Sequence, residues 1–240
     1  MASIQDDRGY NQGFRPSVAL AVRTERRCDY MISKMGLATD TRILEIGCGT
    51  GEISYLLARK TGKYVLGIDV CGPFIEEAKQ KYSLPNLDYE ILDFNNVSQA
   101  TGSFLNRKFD YIVGNGILHH LFCVLDDTLK RIHDMLSENG KIIFLEPNIL
   151  NPYCLLIFRV PIFRKISHLE PDEMAFSKKF IETKLAQWGF INIRVEYKDF
   201  LLPNTPEPLI KSVIQAGAVL EKLPFLKMLS QSIFISASCD

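Results

Sequence analysis

Along the first two thirds of the chain, short runs of Ile, Val and Leu alternate with segments whose apolar positions recur every three or four residues. That is the pattern of buried strands followed by amphipathic helices. Residues 1–14 are polar and read as a loose arm. A helix is expected over residues 16–36, opened by Pro16 in its first turn and stopped at Gly36. Strands are expected at 42–47, 64–69, 87–92, 109–114 and 141–146, with helices at 52–60, 73–82 and 123–136. A short helix should follow the third strand, and a turn at 137–140 should lead into the fifth. The strands are apolar on both faces, as when helices cover both sides of a parallel sheet, so right-handed crossovers should join them. The rhythm then breaks. Residues 148–174 form an irregular insert with several aromatics, followed by a helix at 177–188 and a strand at 191–200. Residues 201–230 open with Pro203, Pro206 and Pro208 and hold a helix near 209–223, and a last strand is expected at 232–238.

Composition narrows the class without naming it. The 240 residues carry 28 Lys and Arg against 28 Asp and Glu, so there is no cationic surplus to neutralise phosphates, and nucleic acid is not the expected partner. A 47% apolar and 23% charged balance can build one large α/β domain spanning residues 1–240. The amino-terminal stretch has no apolar core of the kind a secretory leader needs. The longest apolar run, Ile149 to Phe163, is interrupted by Asn151, Pro152, Arg159 and Pro161, which rules it out as a membrane span. The six cysteines are scattered, with no CxxC pair and no His at ligand spacing. They read as reduced thiols in a cytoplasmic protein with no metal site. Peripheral membrane contact and oligomeric state stay open.

Chemistry enters at Ile43-Leu44-Glu45-Ile46-Gly47-Cys48-Gly49-Thr50-Gly51, where a buried strand runs into three glycines and then a helix. Glycines let the chain turn tightly and let a ligand approach the backbone, and the helix start offers free N–H groups to a carboxylate or phosphate. Asp69 ends the second strand, where a carboxylate can accept both hydroxyl protons of a ribose. Asp93-Phe94 follows the third strand, an acid beside an aromatic that suits an adenine. Asn115-Gly116 and then His119-His120 follow the fourth. All lie at carboxyl ends of expected parallel strands, where open α/β sheets bind ligands. A nicotinamide site would need GxGxxG; here the glycines fall as GxGxG, with Glu52 in the third position of the rival pattern.

These segments together resemble the class I S-adenosylmethionine-dependent methyltransferases. EIGCGTG is similar to that family's first motif, GIDV to its second-strand motif and LDF to its adenine-side motif. FDYIVGNGILHHL and LSENGKIIFLEPN are similar to its fourth- and fifth-strand motifs. The likeness is close over residues 41–148 and extends in pattern to 175–200 and 231–238. It implies a Rossmann-like doubly wound sheet of seven strands, ordered 3-2-1-4-5-7-6, with strand seven antiparallel. It implies S-adenosylmethionine as cofactor, S-adenosylhomocysteine as product, and a cofactor-binding core over 37–147. By the motifs, Glu45, Gly47 and Gly49 take the methionine end, Asp69 and its neighbour Val70 the ribose, Asp93 and Phe94 the adenine, and Asn115-Gly116 the sulfonium region. Cys48 and Gly51, in the same turn, are also expected to bind the cofactor, with no redox role for Cys48.

Methyl transfer from a sulfonium is an in-line displacement that rests mainly on bringing the acceptor atom close and aligned. A base is needed only where the acceptor must lose a proton; His120 is the first candidate, with His119 and Glu146 beside it on the same edge. His133 reads as a surface residue. His168, Glu170, Asp172 and Glu173 read as solvated charge. Both inserts should cap the cofactor mouth, bringing Tyr153, Phe158, Phe163, Leu201, Leu202, Leu209, Ile210 and Val213 to the acceptor side. A small, hydrophobic or lipid- or sugar-linked acceptor fits such a lid. Two other readings stay open: a methyltransferase acting on protein or nucleic acid, and a non-catalytic cofactor-binding partner subunit.

Overall fold

A computed structural model describes residues 16–94, 104, 106–166, 169 and 173–240. The arm at 1–14, most of the segment expected to hold a short helix after the third strand, and His168, Glu170 and Asp172 lie outside the described residues.

The elements run α1 (Val18–Ser33), β1 (Arg42–Ile46), α2 (Glu52–Thr61), β2 (Tyr64–Asp69), α3 (Gly72–Lys81), β3 (Leu87–Ile91), β4 (Phe109–Asn115), α4 (Leu125–Met135), β5 (Leu136–Pro147), α5 (Pro152–Arg159), α6 (Pro161–Ile166), α7 (Lys178–Gln187), β6 (Ile191–Lys198), α8 (Ile210–Leu220) and β7 (Ser232–Ser238). They form one seven-stranded sheet in the order β3-β2-β1-β4-β5-β7-β6. The β1–β2, β1–β4, β2–β3 and β4–β5 pairs are parallel, whereas β7 runs antiparallel to both β5 and β6. The expected order and the reversal of β7 are therefore both present.

The sheet is covered on both faces, which explains its uniformly apolar strands. One cluster packs Leu44, Leu66, Ile112 and Phe144 against Leu129, Ile132, Ile181 and Leu185 of α4 and α7. The other packs Ile43, Val65, Val113 and Leu145 against Cys28 and Met31 of α1 and Ile53 and Leu57 of α2. Alternate residues of each strand point to opposite layers, so a one-residue slip would exchange the two cores.

Several boundaries differ from the sequence expectation for local reasons. Helix α1 starts at Val18 because Ser17, not Pro16, supplies the cap: its Oγ accepts the Leu20 N–H at 3.0 Å. The segment expected as one helix at 123–136 enters through a 3₁₀ turn at Leu118–Val124 and becomes α-helical only at Leu125. The 137–140 turn is folded into β5 as a register shift, with Asn139 left-handed at φ 60°. Strand β6 stops at Lys198 because Asp199 takes φ 72°. The 148–174 insert is less irregular than expected, since it contains α5 and α6; Asn151 caps α5 by accepting the Tyr153 and Cys154 N–H groups.

Candidate active site

The carboxyl ends of β1, β2, β3 and β4 open onto a common edge. Gly47 (φ 66°), Gly49 (φ 53°) and Gly51 (φ 84°) are all left-handed, a conformation that disfavours any residue with a side chain. Their surroundings differ. A Cβ on Gly51 would lie 2.6 Å from the Tyr89 hydroxyl, and one on Gly47 would lie 2.5 Å from Ile117. A Cβ on Gly49 would meet nothing within 4 Å. Gly47 and Gly51 are thus demanded by the protein's own packing, and Gly49 faces open space.

Asp69 fixes this turn. Its Oδ2 accepts the Gly49 N–H at 2.9 Å and its Oδ1 accepts the Cys71 N–H at 2.8 Å. Burial pulls the carboxyl above its ordinary range; the backbone donors of Cys71, Gly49 and Val70 oppose that. A cleft beside it is lined by Gly47, Asp69, Val70, Asp93 and Phe94, all expected, together with Ile46, Ile68, Leu92, Ile117 and Leu121. The aliphatic walls suit a flat heteroaromatic ring, and the two acids suit hydroxyl and amino protons.

The remaining expected residues stand around the cleft. Glu45 is buried between β1 and α2, where Ser54 Oγ hydrogen-bonds its carboxyl. Burial pushes that carboxyl up to about 8, with Ser54 partly opposing. Cys48 is buried beside Gly67 on the same face, and burial raises its thiol, which makes it an unreactive packing group. Gly116 (φ 72°) turns the chain out of β4 and donates its N–H to the Leu145 carbonyl at 2.7 Å. Asn115 Oδ1 accepts from Arg27 Nη1 at 2.8 Å.

Arg27 belongs to a polar network that sequence reasoning missed. Arg23 Nε and Arg27 Nε each donate to Asp199 Oδ2 at 2.8 Å, while Arg23 Nη2 reaches Gln231 and Arg27 Nη2 reaches Ser232 Oγ. Burial raises the Asp199 carboxyl, but the two guanidinium groups outweigh it and hold it below the usual range. The i, i+4 spacing of the two arginines on α1 was visible; their partner, more than 170 residues away, was not.

The histidines separate into two environments. His119 is buried, with its Nδ1 2.8 Å from Glu146 Oε2 and its ring edge-on to Phe158 of α5. Burial outweighs Glu146 and lowers its imidazole below the ordinary value, which keeps it neutral. Glu146 also accepts the backbone N–H groups of Ile117, Leu118 and His119, so it holds the turn after β4 in place. His120 is more exposed, and its Nδ1 lies 3.1 Å from Glu173 Oε1. Glu173, expected as solvated charge, is instead fully buried. Its acidic neighbours in sequence hid that. His119, His120 and Glu173 bring ligand-type atoms within 4.8 Å of one another, a set able to relay a proton or to hold a cation. His133 is half-buried, edge-on to Phe190 and away from this group.

Comparison with known proteins agrees with this arrangement. A methyltransferase-domain family model matches residues 44–142, the stretch that holds the glycine turn, Asp69, Asp93 and the histidines. Over that stretch, and in its fold, the chain is similar to the class I S-adenosylmethionine-dependent methyltransferases. A crystal structure of a SAM-dependent methyltransferase from Archaeoglobus fulgidus shares the fold, with a TM-score of 0.64 at 18% identity over 95% of this chain and 97% of that one. The ubiquinone/menaquinone biosynthesis C-methyltransferase UbiE of Desulfotalea psychrophila is 24% identical over 72% of this chain and 74% of its own length. The probable polyketide synthase 32 of Dictyostelium discoideum is 26% identical over 74% of this chain, which spans only 6% of that protein. The methyltransferase cofactor is S-adenosylmethionine. The open space at Gly49 and the acids of the cleft fit it.

Proposed function

We propose that this methyltransferase acts on a small acceptor with an apolar body and an ionisable C–H or O–H group, and that His120 removes the acceptor's proton. The carrying observation is the His120–Glu173 contact at 3.1 Å, with the imidazole partly exposed, close enough to Asp69 of the cleft to act on its charge, and the carboxylate buried behind it. When bound, the cofactor supplies a methyl group already activated by positive charge on sulfur. Gly47 and Gly49 would hold its amino-acid end, Asp69 and Val70 its ribose, and Asp93 and Phe94 its adenine. A buried carboxylate orients the imidazole and stabilises the cation formed when His120 takes a proton. Glu146 acts through His119 and the turn it caps, as a positioning residue.

The acceptor class rests on two supports. Phe158 of the first insert packs against His119, and Leu201, Ile210 and the half-buried Val213 of the second form an apolar cluster with Ala19. Two relatives carry the names of a ubiquinone/menaquinone biosynthesis C-methyltransferase and a probable polyketide synthase, and both are compatible with such an acceptor. S-adenosylhomocysteine release from the purified chain, measured across a panel of quinols and β-dicarbonyl thioesters, tests the reading. His120→Gln should lower turnover by about 10²–10⁴-fold with cofactor affinity unchanged. Full activity in that variant would remove His120 from the chemistry. Loss of activity on chelation would assign the His119–His120–Glu173 group to a cation instead.

A further inference from the structure

The two inserts are joined on their outer side. Asn148 Nδ2 donates to the carbonyls of Met228 (2.9 Å) and Ser230 (2.8 Å), and Asn151 Nδ2 to that of Leu229 (2.6 Å). The start of α5 is thereby fastened to the Leu226–Leu229 turn. On the segments it joins, large apolar side chains stand in solvent: Phe225 is 83% exposed, Ile166 65%, Ile162 63% and Tyr153 57%. Leu155 and Leu156 extend the same surface along α5. None of them is needed to close the core, because α5 buries Cys154 and Phe158 on its other side. Scattered exposed leucines are ordinary, but a concentration of bulky apolar residues on two fastened segments marks an interaction face.

Charge identifies what the face meets. Residues 150–166 contain Arg159, Arg164 and Lys165 and no acid, with Arg164 turned inward to the Phe158 and Glu173 carbonyls, and Lys222 and Lys227 follow Glu221 in the second segment. The whole chain has zero net charge, so this local excess is balanced elsewhere on the molecule. Cations interleaved with exposed aromatic and aliphatic side chains on short helices are the composition of a surface that lies in a lipid headgroup layer. Among the described residues no helix is long and apolar enough to cross a membrane, so the contact is with the surface. We propose that α5, α6 and the 222–229 turn dock this methyltransferase on an anionic bilayer, with Phe225, Ile162 and Ile166 entering the interface and Arg159, Lys165, Lys222 and Lys227 facing lipid phosphates.

The proposal does not depend on which acceptor is methylated, and its test uses none. The full chain should cosediment with vesicles of phosphatidylcholine mixed with phosphatidylglycerol, bind vesicles of phosphatidylcholine alone far less, and be released by salt. Each cation at the interface should contribute about fivefold to partitioning. Phe225→Glu combined with Ile162→Glu, and separately Lys165→Gln combined with Lys227→Gln, should each weaken partitioning by about tenfold or more. S-adenosylhomocysteine affinity should stay at the wild-type level, showing that the variants fold. Absence of sedimentation with anionic vesicles would overturn the proposal, as would unchanged partitioning of both variants. A dimer in light scattering that the Phe225→Glu and Ile162→Glu pair dissolves would assign the face to a second copy of the chain and equally overturn it.

Discussion

Replacing Asp69 by Ala tests the cofactor site most directly, because this one carboxylate both shapes the glycine turn and faces the cleft. The substitution removes two hydrogen bonds from backbone N–H groups, 2.9 Å from Gly49 and 2.8 Å from Cys71. Bonds to a charged acceptor contribute about 1.5–3 kcal/mol each where the alternative is an unpaired buried group. Asp69 is only partly buried, so water can replace the carboxylate at the two donors, and burial already disfavours its charge. The expected loss of folding stability is therefore about 1 kcal/mol. Cofactor binding should suffer more, since the variant loses an acceptor for two hydroxyl protons and the clamp on Gly49. A loss of about 1.5–3 kcal/mol corresponds to roughly 10–150-fold in dissociation constant. Calorimetry with S-adenosylhomocysteine reads this, with thermal denaturation as the control for folding. Asp69→Asn should fall between wild type and Asp69→Ala, because its amide keeps one acceptor but opposes a donor to a donor. An Asp69→Ala affinity within about threefold of wild type, in a protein that still melts cooperatively, would refute the placement of the ribose here.

The glycines separate by what surrounds them. Gly49→Ala should cost about 1–2 kcal/mol of stability, from its left-handed backbone alone, and abolish calorimetric S-adenosylhomocysteine binding, whereas Gly51→Ala should lower stability further because the new methyl meets Tyr89 and Ala78; equal melting of the two variants would contradict this. Burial raises Glu45 to about 8 from 4.5, so protonation favours the folded state: that contribution is complete below about 4.5 and lost above about 8. Urea melts of wild type should thus show stability declining by a few kcal/mol across that window and Glu45→Gln should flatten the decline; parallel curves would refute the assignment. Arg27→Met should destabilise the chain by about 2–3 kcal/mol, because Asp199 keeps Arg23 while Asn115 and Ser232 lose a donor, and a double-mutant cycle with Asp199→Asn should be strongly non-additive.

What the sequence made legible was local or periodic. The glycine turn, Asp69 and Asp93 were readable because a strand end, a turn and a helix start lie within one short segment, and the sheet order followed from a family likeness carried by those segments. The Arg23–Arg27–Asp199 network was not readable, because hydrogen bonds between α1 and the end of β6 leave no periodic trace. Glu173 shows the same limit from the opposite side. Surrounded in sequence by Glu170 and Asp172 it looks solvated, and only the packing of the first insert against the histidines buries it. Phe158, Leu201 and Ile210 were expected on the acceptor side together with Tyr153, Phe163 and Leu202, yet the first three are buried and the last three exposed. Composition alone does not distinguish the inner from the outer side of an insert.

The position of β7 between β5 and β6 bears on how the protein is made. In the order of synthesis β6 leaves the ribosome first, but its pairing partner is β7, which follows only after the second insert. Until then β5 presents an open edge that includes Phe144 and Leu145, and β6 has no ladder to join. The nascent chain therefore passes through a stage with five of its seven strands paired and two strand edges uncovered, the condition in which chains associate with each other or with chaperones. Ribosome-bound chains arrested before and after Ser232 should differ sharply in protease resistance across residues 136–198.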